Sequence, residues 1–296
     1  MKIFDCFQFF DENMMLDLRL NILNEHVHKF IIVENAFMHS GLKKKPVFDI
    51  KNFTKFKDKI IYILVDKLPP GLHDINVIKD KDTRGNRIID NTLMIEHNQR
   101  NSILQGLNDS HDNDLIIVSD VDEIPNLEKI NSNSIRKKLI HFKQKMYYYK
   151  FNLEYTSKPW FGSKACLKKN FILPQWLRDT KERKYPLWRF DILFSKMKYN
   201  SIQYIENGGW HFANIKSPEE IEKKLNNFGH HLEYKESGLN LNDIRKMIDN
   251  GKAIYDYHAD MRESKWSGDE KLKKILLTEL PIYIQKNINK YKKWID

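Results

Sequence analysis

The chain has 296 residues, 41% of them apolar and 12% aromatic, which is ample for a packed core and excludes a disordered polymer. Fifty Lys and Arg against forty Asp and Glu leave a net charge of +10 and favour anionic partners. The lysines are spread along the chain rather than gathered into one arm, which argues against nucleic acid.

Cys6 and Cys166 are far apart and lack metal spacing, so a disulfide framework and a zinc ribbon are excluded and a reducing compartment is expected. No stretch approaches the roughly 20 apolar residues of a membrane span. Acidic residues follow the N-terminus too soon for a signal peptide. The expectation is a cytoplasmic protein, with peripheral membrane contact as an option.

Residues 2–10 read as an aromatic-rich strand. Asp11, Glu12 and Asn13 then offer helix caps. Met15, Leu18 and Ile22 recur at helical spacing over residues 14–23, with Met14 and Leu23 widening the stripe. Phe30-Ile31-Ile32-Val33 is a buried strand that delivers Glu34 at its carboxyl end. A loop with His39-Ser40-Gly41 and three lysines follows. A third strand spans residues 60–65 and ends in Pro69-Pro70-Gly71. After a polar stretch, residues 88–107 read as a helix leading to another strand at Leu115. Strand, helix, strand, strand, helix, strand predicts the nucleotide-binding half of an α/β fold.

Leu115-Ile116-Ile117-Val118 reads as a strand buried on both faces, and Asp120, Asp122 and Glu123 follow before Pro125 stops it. In extended backbone Asp120 and Asp122 lean the same way and repel unless a cation lies between them. Mg²⁺ and Mn²⁺ take carboxylate oxygens and share them with phosphates. A bare Asp-x-Asp is more often a solvated acidic turn. The buried strand before it, the extra Glu123 and the proline favour a metal-diphosphate site.

The second half is less regular. Residues 146–153 read as a strand, and Trp160-Phe161-Gly162 as an aromatic turn. Trp176, Trp188 and Trp210 stand in polar settings that suit either sugar stacking or a core. Gly208-Gly209-Trp210-His211 reads as a second turn. Ser217-Pro218-Glu219-Glu220 opens a helix expected to reach Phe228 and to end at Gly229-His230-His231. The tail, residues 271–294, is basic and amphipathic; packing on its own domain is favoured over lying on a bilayer. No repeat or linker appears, so residues 1–296 form one domain with halves at 1–125 and 126–296.

These motifs in this order resemble glycosyltransferase family 17, whose familiar members are β-1,4-mannosyl-glycoprotein β-1,4-N-acetylglucosaminyltransferases. The resemblance runs through Phe9-Phe10-Asp11-Glu12, Leu16, Asp17 and Arg19. It continues through Phe30-Ile31-Ile32-Val33-Glu34, Ser40-Gly41, Lys45-Pro46 and Pro69-Pro70-Gly71. Glu96, Gln99-Arg100-Asn101, Asp120-Val121-Asp122-Glu123-Ile124-Pro125 and Gly209-Trp210-His211 complete it.

The resemblance implies a GT-A type fold with a Rossmann-like, mostly parallel central sheet flanked by helices. It also implies a UDP-sugar donor, an Mn²⁺ or Mg²⁺ cofactor, and inverting transfer of a sugar such as N-acetylglucosamine to a saccharide acceptor. The donor half is then 1–125 and the acceptor half 126–296. Asp120, Asp122 and His211 match the metal ligands, the alternative for His211 being a buried histidine bonded to backbone. Glu34, Ser40, Arg100, Asn101 and Asp120 are donor candidates, with an ordinary ion pair the alternative for Glu34 and Arg100. Trp160, Trp188 and Trp210 are acceptor candidates. Inversion needs a general base; Asp191 is preferred over Glu154, Glu206 and Glu233, and His231 with Glu233 could form an acceptor-side pair. Few cysteines and no anchor segment favour a surface polysaccharide, lipid-linked saccharide or capsid glycan as acceptor. A nucleotidyltransferase would need a Gly-rich phosphate loop near the first strand, which the sequence lacks. A nucleic-acid-binding protein would leave the carboxylates without a role.

Overall fold

The computed structural model describes residues 1–128, 130–183, 185–186, 188–227, 231–255, 266 and 270–296. The first strand, β1 (Ile3–Phe9), is followed by α1 (Asn13–Leu23), β2 (Lys29–Asn35) and β3 (Ile60–Val65). Each strand follows an apolar run, and β1 and β2 are buried almost throughout. Glu12 does not cap α1; its carboxylate accepts the Phe10 and Asp11 amides at 3.2 and 3.1 Å. The next helix, α2 (Lys81–Asn101), begins seven residues before the expected start. Asp80 caps it by accepting Thr83 N at 2.8 Å, so a local hydrogen bond sets the boundary where the apolar pattern is weak. A 3₁₀ turn leads on to β4 (Leu115–Asp120).

Beyond β4 come β5 (Glu123–Pro125), β6 (Leu139–Phe142), β7 (Gln144–Tyr148), β8 (Leu153–Trp160), β9 (Lys164–Leu167) and the short α3 (Pro174–Asp179). The chain continues through β10 (Ile202–Ile205), β11 (Gly209–Ala213), α4 (Pro218–Asn227), α5 (His231–Ser237) and α6 (Leu241–Asp249). It closes with β12 (Lys273–Lys274), α7 (Ile282–Lys286) and α8 (Ile288–Tyr291).

The strands form two sheets in a mixed α/β architecture. The larger is ordered β10-β6-β9-β4-β1-β2-β3, with β4, β1, β2 and β3 parallel and β9 antiparallel to both neighbours. The chain leaves β1 towards β2 on one side and returns as β4 on the other. That reversal opens a crevice at the carboxyl ends of β1 and β4. The smaller sheet is ordered β12-β8-β7-β11-β5. Asp120 ends β4 in the first sheet and Glu123 begins β5 in the second, so the carboxylate motif is the junction between sheets.

Several local expectations change. Residues 146–153 are not one strand: β7 stops at Tyr148, Tyr149 takes a φ of 63°, and the chain returns antiparallel as β8. The Gly209-Trp210-His211 segment is a strand rather than a turn. Asp120 and Asp122 do not share one extended strand, because the chain turns at Val121-Asp122. Phe228, Gly229 and His230 lie outside the described residues. The tail is broken at Pro281 into short pieces, and Ile275, Leu280, Ile284 and Tyr291 pack into the main core. Among the described residues no helix is long and apolar enough to cross a membrane.

One buried cation ties these elements together. Arg19 of α1 grips Asp5 of β1 with Nε and Nη2 at 2.8 and 2.6 Å, and neither side chain reaches solvent. Its Nη2 also donates to Ser119 Oγ at 2.7 Å, while Nη1 donates to the carbonyls of Asp120 and Glu123 at 3.0 and 2.8 Å. The guanidinium lies 4.5 Å from the centroid of the Phe7 ring. Removing one partner of such a pair leaves an unpaired charge in the core. Arg19→Met should lower the free energy of unfolding by about 3–5 kcal/mol in urea titration.

Candidate active site

A cleft of about 450 Å³ opens at the β1/β4 switch point. Phe9, Phe10 and Glu12 follow β1 into it, Phe37 and His39 enter from the loop after β2, and Glu96, Gln99 and Arg100 from α2. Asp120, Val121, Asp122 and Glu123 form its floor. The second sheet and its helices supply the facing wall, including Tyr148, Trp160, His211, Lys224, Tyr255 and Trp266.

Two motifs far apart in sequence meet here through backbone pairing. β11 runs antiparallel to β5, setting His211 opposite Glu123 and Trp210 opposite Ile124. The Phe212 amide donates to Asp122 O at 2.9 Å. Gly209 has a φ of +122°, and a Cβ there would lie 2.2 Å from Ile124 O. Only glycine lets the strands approach this closely. His211 Nε2 then lies 3.8 Å from Asp122 Oδ1, and Lys224 Nζ is 4.0 Å from Oδ2. The imidazole stacks on Trp160 with centroids 4.7 Å apart, and the indole Nε1 donates to Glu123 Oε1 at 2.6 Å. A Cβ on Gly162 would fall 2.1 Å from the Glu123 carboxyl carbon, so glycine is also needed beneath this contact.

The two aspartates face different surroundings. Arg178 Nη2 donates to Asp120 Oδ2 and Glu123 Oε1, both at 2.8 Å. Arg100 Nη2 reaches Asp120 Oδ1 at 3.3 Å and Glu96 Oε1 at 2.7 Å. Burial works against the Asp120 charge, but Arg178 and Arg100 outweigh it and hold the carboxyl well below its usual range. Asp122 goes the other way. Burial pushes its carboxyl up, Glu123 and Asp120 add to this, and His211 and Lys224 only partly compensate.

Asp122 is therefore the carboxylate with the less complete charge compensation. A carboxylate and an imidazole nitrogen converging in a desolvated cleft suit a divalent ion, Mn²⁺ better than Mg²⁺ for the nitrogen. Among the described residues no three metal-type side chains are clustered. Two protein ligands nonetheless fit an ion that completes its shell with phosphates and water.

Of the residues given a metal, donor, acceptor or base role from sequence, Asp120, Asp122, His211, Arg100 and Trp160 are brought together. The others are not. Glu34 is fully buried, and Lys44 Nζ, the Val47 and Phe48 amides and the Tyr62 hydroxyl all donate to it, so it anchors the loop after β2. Ser40 is exposed beside His39 and does not line the cleft. Asn101 accepts the Gln175 amide at 3.0 Å and so joins α2 to α3.

Trp210 packs on the main core beside a separate hollow, because strand alternation turns it away from His211. Trp188 is exposed and lies outside the cleft lining. Asp191 is held on the surface by Arg189 and Lys198 at 2.6 and 3.1 Å. Glu154 faces Lys145 at 4.0 Å, and Glu206 pairs with Lys143 at 2.9 Å. Glu233 sits in the first turn of α5, outside the cleft lining, and the His231 side chain lies outside the described residues.

Sequence reasoning missed Arg178, Lys224 and His39. Arg178 sits in a run with no distinctive pattern, and its partners are 55 and 58 residues away. Lys164 of β9 holds it from behind. The buried ammonium donates to Arg178 O at 2.7 Å and to Thr180 O, pinning the carboxyl end of α3.

A family model described as glycosyltransferase family 17 matches residues 1–173, and the protein is a glycosyltransferase. The chain belongs to glycosyltransferase family 17. The match includes Arg19, Arg100 and the Asp120–Asp122 turn and stops before Arg178 and His211. Among curated proteins, none matches the chain.

Burial, reinforced by the Arg178 charge, lowers the Lys164 pKa to about 8. In the unfolded chain lysine ionises near 10.4, at about its model-peptide value, so between those limits the unfolded state binds more protons. Stability from this group therefore rises with pH across that window. The difference in Tm between the wild type and Lys164→Met should widen between about pH 8 and about pH 10. A difference that stays constant would refute the assignment.

Proposed function

We propose that this glycosyltransferase is a metal-dependent, inverting enzyme of GT-A type that moves N-acetylglucosamine from a UDP-sugar to a saccharide acceptor. The observation carrying the reading is the approach of His211 Nε2 to within 3.8 Å of Asp122 at the β1/β4 switch point, beside an Asp120 fixed by two arginines. The family resemblance supports the donor class and inversion.

Asp122 and His211 would hold Mn²⁺ or Mg²⁺, which when bound supplies positive charge to the departing diphosphate. Trp160 fixes the imidazole plane by stacking on it, so its part is to orient His211. Asp120 is kept anionic and immobile by Arg178 and Arg100, which suits it to accept hydrogen bonds from donor hydroxyls. Arg100 and Lys224 give the cleft the cationic groups a diphosphate requires. Half-buried Tyr255 and Trp266 on the opposite wall are the aromatic side chains placed to meet an acceptor saccharide. Asp191, Glu154 and Glu233 stand away from the cleft and are not retained as the base.

Titration calorimetry of UDP with and without Mn²⁺ tests the assignment. The wild type should bind UDP at least about tenfold tighter with Mn²⁺, a difference of about 1.4 kcal/mol. Asp122→Asn should lose that enhancement while unfolding at a similar temperature. An Asp122→Asn variant with the full Mn²⁺ enhancement would overturn the metal ligand. A melting-temperature screen of nucleotide sugars with Mn²⁺ should single out UDP-sugars. Stabilisation by another nucleotide sugar alone would replace the donor.

A further inference from the structure

Trp188, expected at the acceptor, is exposed outside the cleft together with other apolar side chains of one lobe. Phe194 is 88% exposed, Trp188 71%, Ile172 58%, Met197 43% and Leu173 40%. Trp188 and Phe194 are the only tryptophan or phenylalanine so exposed among the described residues.

The lobe is held in shape. Trp176 Nε1 of α3 donates to Lys196 O at 2.7 Å, the Lys181 amide donates to Met197 O at 2.8 Å, and Trp176 packs edge-on against Tyr199. These bonds fasten the Phe194–Met197 stretch onto α3, which starts directly after Ile172-Leu173.

Residues 168–198 carry nine Lys or Arg against three Asp or Glu. Six of the chain's ten net positive charges thus fall in about a tenth of its length. One of the three acids, Asp191, is already paired with Arg189 and Lys198.

We infer that this lobe docks the enzyme on an anionic lipid bilayer, with Trp188, Phe194 and Ile172 entering the headgroup region and the surrounding lysines and arginines meeting lipid phosphates. Aromatic rings combined with Lys and Arg are the chemistry of the bilayer interface, and clustered cations favour anionic leaflets. Exposed aliphatic Ile172, Leu173 and Met197 in the same lobe add area that hydrocarbon accepts and that nucleobases cannot stack on. The docked face adjoins the active site, since α3 also carries Arg178, which holds Asp120 and Glu123 of the cleft floor. The inference does not depend on the identity of the donor.

Co-sedimentation with phosphatidylcholine vesicles, with and without phosphatidylglycerol, tests it on the full chain. The wild type should bind the anionic vesicles and leave the neutral ones. The double variant Trp188→Ala/Phe194→Ala should weaken that binding at least about tenfold at unchanged Tm. Lys181→Glu/Lys196→Glu should weaken it similarly, whereas Lys292→Glu/Lys293→Glu in the tail should not. Brominated lipid should quench tryptophan fluorescence in the wild type and less in Trp188→Phe. No binding to anionic vesicles, or binding that survives Trp188→Ala/Phe194→Ala intact, would overturn the proposal. A single-stranded oligonucleotide that displaces the vesicles and depends on the same two rings would reassign the lobe to nucleic acid.

Discussion

The Arg19 guanidinium sits under the junction of two sheets and addresses three strands from one helix. Its donors reach Asp5 in β1, Ser119 in β4, and the carbonyls of Asp120 and Glu123 on either side of the turn. A buried ion pair is a weak source of net stability, because desolvation offsets most of the attraction. Its value here is geometric. A planar fork with five donors fixes the path of a turn that has no regular hydrogen bonding of its own.

Two carboxylates two residues apart end in opposite electrostatic states because each sheet brings its own partners. The first sheet's side supplies Arg100 and, through α3, Arg178, which neutralise Asp120. The second sheet's side supplies His211 and the more distant Lys224, which leave Asp122 short of positive charge. The cleft floor therefore carries one acidic group whose charge is well compensated and one whose charge is compensated only in part.

Legibility in the sequence followed the range of the interaction. β1, α1, β2, β3 and β4 could be placed because each is a local apolar run, and the Asp120–Asp122 turn because it ends such a run. The start of α2 was misplaced, since the Asp80 cap outranked a weak apolar pattern. The hairpin of β7 and β8 was read as one strand, because nothing in Tyr148-Tyr149-Lys150 announces the positive φ at Tyr149. His211 was found only through its family motif. That it pairs with Glu123 is a contact across 88 residues that no local pattern carries. Arg178 had neither a pattern nor a motif. Trp188 and Asp191 had suggestive chemistry, but the fold placed them elsewhere.

The second sheet encodes the cleft in a parity. Along β11, His211 and Ala213 line the cleft, while Trp210 and Phe212 pack into the main core on the other face. Side chains in a strand alternate with a period of two. Sliding β11 by one residue against β5 would carry the indole into the cleft and bury the imidazole among hydrocarbon. Two adjacent glycines oppose the slip in both directions: one way sets Trp210 in the place of Gly209, with a Cβ against Ile124 O, and the other sets Asn207 in the place of Gly208, with a Cβ against Lys143 N. The glycine pair at the head of β11 thus acts as a reading frame. It decides which of two adjacent ring side chains faces the cleft.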